Sequence, residues 1–351
     1  MYPRNKYLTT LAILLILMTF FVQIPESQAQ DDDVSQNTPM PDKCDDWICS
    51  LNTLVWHPDG KMFAIGGDFG VHFYSDTLVL QFTMEIQGVS QIAWSPDGAR
   101  IAIVSSEVLL IRDMDELTEW CLYGHGQMAW HEDSKRIAYF APNDEIIVYD
   151  LVSNEEVAVF SYADMSRGIR PPLTWDGDSL LLLSSSNVYR WNPFGNNAVE
   201  TWELPPLTNW GHWWGDSPWN NTRNRLIVTR LIVGNDQIGI WNMETEEAYW
   251  GKFHDFFYST YGIAWSPNDQ YIAAATPSDV YILNPDSLET LHTYSFHHTE
   301  YDVLIGEASC LEHPDLFYIA NHVIWNPDGD KILVVNACRL MTIPIDEILG
   351  E

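Results

Sequence analysis

Positive charge is scarce in this chain of 351 residues: Lys and Arg number 17 against 49 Asp and Glu, a formal net charge of −32. Nucleic acid and anionic lipid surfaces are bound by neutralising phosphate with Lys and Arg, so so acidic a surface excludes both as partners. A positively charged partner, or a neutral one such as a sugar, stays open. Cysteine is also sparse. Five are present, Cys44, Cys49, Cys121, Cys310 and Cys338, and no two form a Cys-x-x-Cys pair, which removes the zinc-knuckle and thioredoxin-like readings. The odd number leaves at least one thiol unpaired within the chain. Helical periodicity is missing from residue 43 onward, and so are the common signatures of catalysis. There is no Gly-x-Ser-x-Gly elbow, no His-Glu-x-x-His and no phosphate-binding glycine loop. No catalytic residue, metal or cofactor is therefore assigned.

Long apolar runs are confined to the N-terminus. Arg4 and Lys6 precede Leu8 to Val22, and Ser27-Gln28-Ala29 places small residues where a signal peptidase cuts. The run is shorter than the roughly 18 residues a membrane span requires. Residues 1–29 are expected to be a secretory signal peptide and 30–42 an acidic, disordered leader. The mature protein is expected to be secreted or periplasmic, monomeric and without stable membrane insertion.

What the chain has in abundance is tryptophan, 16 residues, and seven of these head a recurring phrase. Apolar residues lead to Trp, a Pro/Asp/Gly turn follows, and a second apolar run comes next. The clear copies begin at Trp56, Trp94, Trp265 and Trp325, and the degenerate ones at Trp130, Trp175 and Trp219. Successive spacings are 38, 36, 45, 44, 46 and 60 residues. Within a unit the apolar segments are four to six residues long and separated by turn signals, so each unit reads as four short strands. In the second unit these are Gln91 to Trp94, Ile101 to Val104, Val108 to Arg112 and Leu117 to Leu122. A lone four-stranded sheet cannot bury both faces. Seven packed radially can, with only short edges left. The expected fold is an all-β, seven-bladed β-propeller over residues 43–351.

The residues of the fifth unit resemble the WD-repeat family. Gly211-His212, Thr229, Asp236 and Trp241-Asn242 match its motif, and the resemblance implies a hydrogen-bonded tetrad of His212, Thr229, Asp236 and Trp241 inside the blade. The third unit keeps Gly124-His125, Asp144 and Tyr149-Asp150, whereas Arg112-Asp113 and Leu283-Asn284 are eroded. The Pro-Asp-Gly turns also look like those of TolB-type periplasmic propellers. In the last unit the chain supplies three strands, and Asp46-Trp47-Ile48-Cys49 resembles the outer-strand sequence Glu119 to Leu122. The N-terminal strand is therefore expected to complete the last blade. That arrangement brings Cys310 or Cys49 near Cys338 as disulfide partners; Cys44–Cys49 is a further option, and Cys121 is expected to be a buried free thiol.

Three connections exceed the repeat: Ala163 to Pro172, Pro205 to Pro218, and His297 to Asn321. Each joins an outer strand to the next inner one, so all three emerge on one face of the disc. Loops on a rigid scaffold are where function is added. The second holds Trp210, Trp213 and Trp214, flanked by Trp202 and Trp219. Such rings either offer flat platforms to a sugar or partner side chain, or pack over the blades. The third holds His297, His298 and Tyr301, with Glu300, Asp302, Glu307, Glu312 and His313, at spacings that fit no established metal site. Asp176 with Asp178, and Asp328 with Asp330, read as turn residues. Asn220-Asn221-Thr222 fits the N-glycosylation sequon. The expected function is a binding scaffold for a protein or glycan partner on the loop-rich face. A secreted propeller hydrolase or lyase acting on carbohydrate is the alternative.

Overall fold

The computed structural model describes residues 51–162, 172–184, 186–195, 198–205, 208–209, 217–230, 237–251, 262–276, 279–295, 303–304, 322–336 and 339–346. These form seven antiparallel sheets of four strands each. Blade 1 comprises β1 (Leu51–Trp56), β2 (Met62–Gly67), β3 (Gly70–Ser75) and β4 (Leu80–Met84). Blade 2 follows with β5 (Val89–Trp94), β6 (Arg100–Ser105), β7 (Val108–Asp113) and β8 (Glu119–Tyr123). Blade 3 holds β9 (Met128–Trp130), β10 (Arg136–Ala141), β11 (Glu145–Asp150) and β12 (Glu155–Ser161), and blade 4 holds β13 (Thr174–Asp176), β14 (Ser179–Leu183), β15 (Asn187–Trp191) and β16 (Val199–Glu203).

Blade 5 contains β17 (Thr208–Asn209), β18 (Arg225–Arg230), β19 (Gln237–Asn242) and β20 (Glu247–Trp250), with Trp219 bridging Leu226 on the inner side. Blade 6 has β21 (Gly262–Trp265), β22 (Ile272–Ala275), β23 (Asp279–Leu283) and β24 (Thr290–Ser295). Blade 7 has β25 (Val303–Leu304), β26 (His322–Trp325), β27 (Lys331–Asn336) and β28 (Arg339–Pro344). Its order is β25-β28-β27-β26, so Val303–Leu304 holds the outer position, opposite Leu340 and Arg339. The N-terminal strand expected there lies outside the described residues.

Seven apolar clusters, one per junction, hold the disc together. Phe73 and Ile92 meet between blades 1 and 2, Ile111 and Ile137 between blades 2 and 3, and Phe140 and Leu180 between blades 3 and 4. The series continues with Leu181 and Leu226, Ile227 and Ile272, and Ile282 and Ile332. It closes with Phe63 of blade 1 against Leu333 of blade 7. Second strands are buried on both faces, which explains their unbroken Ile, Val and Ala runs, and outer strands alternate partly buried with exposed positions. In β8 that alternation turns Trp120 and Leu122 inward and Cys121 outward. Cys121 is thus an exposed free thiol, not a buried one. Partial burial of the sulfur, with Glu119 nearby, pushes its pKa up.

All seven repeat tryptophans sit at the inner, turn-side end of their blades and are buried. Four donate their indole N–H to the preceding blade: Trp130 to the Ala93 carbonyl at 3.2 Å, Trp175 to Ala129 at 3.0 Å, Trp265 to Pro218 at 3.2 Å and Trp325 to Ala264 at 3.1 Å. Each acceptor directly precedes the neighbouring blade's own Trp. The Pro218 carbonyl also accepts from the Ile227 amide of its own blade at 2.9 Å, so the indole takes up its second lone pair. Gln91 of blade 2 ties to blade 3 with both ends of its amide. It accepts from Met128 N at 2.8 Å and donates to Met128 O at 3.4 Å.

Candidate functional site

Antiparallel order assigns the connections to two faces. Turns between first and second and between third and fourth strands lie on one, and second-to-third turns with blade-to-blade connections lie on the other. On the first face the seven inner turns are all described. Six of its seven inner turns place a left-handed residue four positions after the Trp: Gly60, Gly98, Ser134, Arg223, Asp269 and Gly329, with φ between 58° and 73°. Blade 4, with a two-residue turn, uses Gly177 at φ 56°.

Every one of these turns touches the turn of the preceding blade. Gly60 lies against Pro327 and Asp328, and Gly329 against Pro267. Gly98 lets the His57 ring approach, and His57 Nε2 donates to the Gly98 carbonyl at 3.1 Å. Where the repeat abandons glycine, the side chain reaches backward. Ser134 Oγ accepts from the Asp97 amide at 3.0 Å, and Arg223 Nε donates to the Trp175 carbonyl at 3.3 Å. Burial lowers the Arg223 pKa, with Asp176 and Asp269 opposing it. Blade 4 contributes Asp178, 3.4 Å from His131 Nε2 and 3.5 Å from Arg136.

In several blades the residue after the Trp caps its own turn. Ser95 Oγ accepts from Arg100 N at 2.9 Å, Ser266 Oγ from Tyr271 N at 2.9 Å and Asn326 Oδ1 from Lys331 N at 2.9 Å. Burial opposes ionisation of Asp97, yet bonds from Ser95 and the Ala99 amide, with Arg100 nearby, hold its carboxyl below the ordinary range. The outer turns are capped by the second residue of the dipeptide, whether kept or eroded. Asp113 accepts from Asp115 N and Glu116 N, Asp150 from Val152 N and Ser153 N, and Asn284 from Asp286 N and Ser287 N. Ser75 and Asn192 fill the same place in blades 1 and 4. Sequence reading missed these two, although their constant position at the end of the third strand was a usable signal. Asp176 ends β13 and pairs with Arg190 on β15, and Asp330 in the blade 7 turn accepts from Asn326 at 2.6 Å.

The opposite face is built as a set of mounts. At the end of blade 3 the buried Tyr162 donates its amide to the Asp144 carbonyl at 2.9 Å. In blade 4 the Leu204 amide reaches Ser186 O at 2.8 Å, and in blade 5 the Gly251 amide reaches Ile238 O at 2.9 Å. Ser295 Oγ donates to Asp279 Oδ1 at 2.5 Å where blade 6 ends. Each long connection thus leaves a strand end tied to its neighbouring turn.

Of the residues singled out in sequence, Trp210, Trp213, Trp214, His297, His298, Tyr301, His212, Asp236, Cys49, Cys310 and Cys338 lie outside the described residues. Thr229 stands on β18 opposite Ile238, and Trp241 on β19 is fully buried with its indole N–H unpartnered among the described residues. In blade 3, Asp144 is exposed, and the Tyr149 hydroxyl donates to Asn154 at 2.8 Å. The two ends of the aromatic run are scaffold: Trp219 is fully buried and Trp202 packs on the core between blades 4 and 5. Among the described residues, no group of three or more His, Cys, Asp and Glu stands together as a metal site. None of their helices is long and apolar enough to cross a membrane.

Seven four-stranded blades, with a buried Trp at the inner side of each, define a seven-bladed β-propeller. The chain is similar to the structure of U3-55K, with TM-score 0.62 and 11% identity over 84% of this chain and 95% of that one. It is similar to the WD40 repeats of RRP9, with TM-score 0.61 and 12% identity over 84% and 94%. A chain of the mitotic checkpoint complex matches at TM-score 0.57 and 17% identity over 93% and 98%. At such identities the likeness is one of fold. No protein-family model matches the chain, and no curated protein does.

Proposed function

We propose that the protein is an exported binding scaffold whose partner is a protein, engaged on the face that carries the long connections. One observation supports this above the others: the two faces are built to opposite designs. On one, all seven inner turns close against their neighbours. On the other, the strand ends that precede 163–171, 206–216 and 296–321 are fixed by hydrogen bonds, and β17 and β25 lie within the latter two stretches. Rigid mounts beneath long loops suit recognition, because positioning is supplied by the scaffold and specificity by the loops. With 49 acidic and 17 basic residues, a partner surface that is basic or neutral is favoured. The solved structure at 17% identity belongs to a protein complex, which accords with this reading by fold analogy alone.

A glycan partner is the second reading, resting on Trp210, Trp213 and Trp214 within five residues of the 206–216 connection. The test is crosslinking of the full chain in its native exported fraction, beside a broad glycan array, each repeated with a Trp210, Trp213 and Trp214 to Ala variant. The proposal expects a specific crosslinked protein that disappears in the still-folded variant. Array binding lost in the variant, without a crosslinked protein, replaces it with the glycan reading. If neither signal depends on these tryptophans, the loop-face assignment fails.

A further inference from the structure

Asn220-Asn221-Thr222 is the only Asn-x-Ser/Thr sequon in the chain with a residue other than Pro in the middle. Its acceptor, Asn220, is fully buried. The Nδ2 group donates to Thr222 Oγ1 at 2.6 Å, Asn224 Oδ1 at 3.0 Å and Asp269 Oδ2 at 3.0 Å, the last across the junction to blade 6. Its Oδ1 accepts from the amides of Asn224 at 3.0 Å and Arg225 at 2.8 Å. Asp269 further accepts from Asn221 N at 2.6 Å and from Thr222 N and Oγ1, each at 3.3 Å. The Thr222 hydroxyl that completes the sequon is itself bound into this knot.

We infer that a glycan on Asn220 and closure of blade 5 onto blade 6 exclude one another, so the sequon acts as a choice between a folded, bare chain and a modified, unclosed one. N-glycosylation joins Nδ2 to the anomeric carbon of a lipid-pyrophosphate-linked oligosaccharide. The lipid pyrophosphate leaves and one N–H proton is released. The product has lost a donor that the knot uses and carries a sugar where solvent does not reach. Buried donors and acceptors left without partners are strongly unfavourable. Glycan attachment precedes folding or does not happen. In blade 7 Asn326 occupies the same place after Trp325, but Pro327 and Asp328 follow, so no sequon arises.

The experiment expresses the full chain through a eukaryotic secretory pathway and reads Asn220 occupancy by mass spectrometry in the medium and in the retained pool. Three chains are compared: wild type, Asn221→Pro, which gives blade 5 the Asn-Pro turn of blade 7, and Leu226→Asp, which breaks the buried partner strand of Trp219. Wild-type protein in the medium should lack the mass shift of an N-glycan at Asn220, and the retained pool should carry it. Leu226→Asp should be glycosylated at Asn220, and Asn221→Pro, which has no sequon and also loses the Asn221 N–H bond to Asp269, should be bare at Asn220 in both pools. Medium protein with a native unfolding transition and a glycan on Asn220 overturns the inference. So does a bare Asn220 in the Leu226→Asp chain, since folding would then not be what protects it.

Discussion

Trp325 donates its indole N–H to the carbonyl of Ala264 at 3.1 Å, across the junction of blades 6 and 7. The bond spans 61 residues of sequence and repeats, at a fixed offset, a contact made by Trp130, Trp175 and Trp265. The indoles of Trp56, Trp94 and Trp219 have no hydrogen-bond partner among the described residues. Trp325→Phe loses the indole bond and leaves a cavity, so it should cost about 2–4 kcal/mol. Trp56→Phe loses packing alone and should cost about 1–2 kcal/mol less. Urea unfolding of the two variants measures the difference, and equal losses would remove the indole bond as the cause.

At Gly98 an added Cβ would lie 2.6 Å from His57 Nε2, on a backbone with φ 73°. Gly98→Ala should therefore destabilise by about 2–4 kcal/mol, combining left-handed strain with overpacking. Gly177→Ala meets nothing within 4 Å at φ 56° and should cost only about 1 kcal/mol. Adding His57→Ala to Gly98→Ala should restore part of the loss. Thermal melts of the three variants and the wild type decide it.

Asp269 stands where blades 1, 2 and 7 have glycine, at φ 59°. Repeat consensus alone would make Asp269→Gly stabilising by about 1 kcal/mol. The knot with Asn220, Asn221 and Thr222 reverses the sign, because several bonds to a carboxylate are lost. A net destabilisation of about 1–3 kcal/mol is expected from denaturant titration.

His72 is buried on β3 and burial lowers its pKa from the ordinary 6.5. The unfolded chain therefore takes up this proton before the folded one does. Its effect is nil well above pH 6.5, and stability falls as pH drops through 6.5 toward the lower folded value. His72→Leu should leave the midpoint of urea unfolding near that of wild type at pH 7.5 and exceed it at pH 5.5. An unchanged gap across that range would show that His72 does not set the acid limb.

The blade count was legible because one physical requirement repeats: a large ring at the end of each inner strand, then a turn needing a left-handed residue. Trp130, Trp175 and Trp219 kept the ring after losing the Pro-Asp-Gly phrase, and spacing alone found them. What sequence did not reveal was the substitution logic at the left-handed site. Ser134, Arg223 and Asp269 look like decay of a glycine until their reach to the preceding blade is seen. Cys121 was readable from the alternation of Glu119 to Tyr123 and was misjudged by taking cysteine as an inward residue. The strand Val303–Leu304 gave no signal, because two residues are too few to show a period of two.

The indole bonds all run in one sense around the disc, from each blade back to the one before it. Coupling between neighbours is therefore directional. Weakening the Trp175 bond removes a contact to the Ala129 carbonyl in blade 3 and leaves the bond that blade 6 makes to Pro218 intact. Native-state amide exchange should accordingly quicken on the inner strand of the earlier blade, so a lesion in this ring is felt upstream of where it is made.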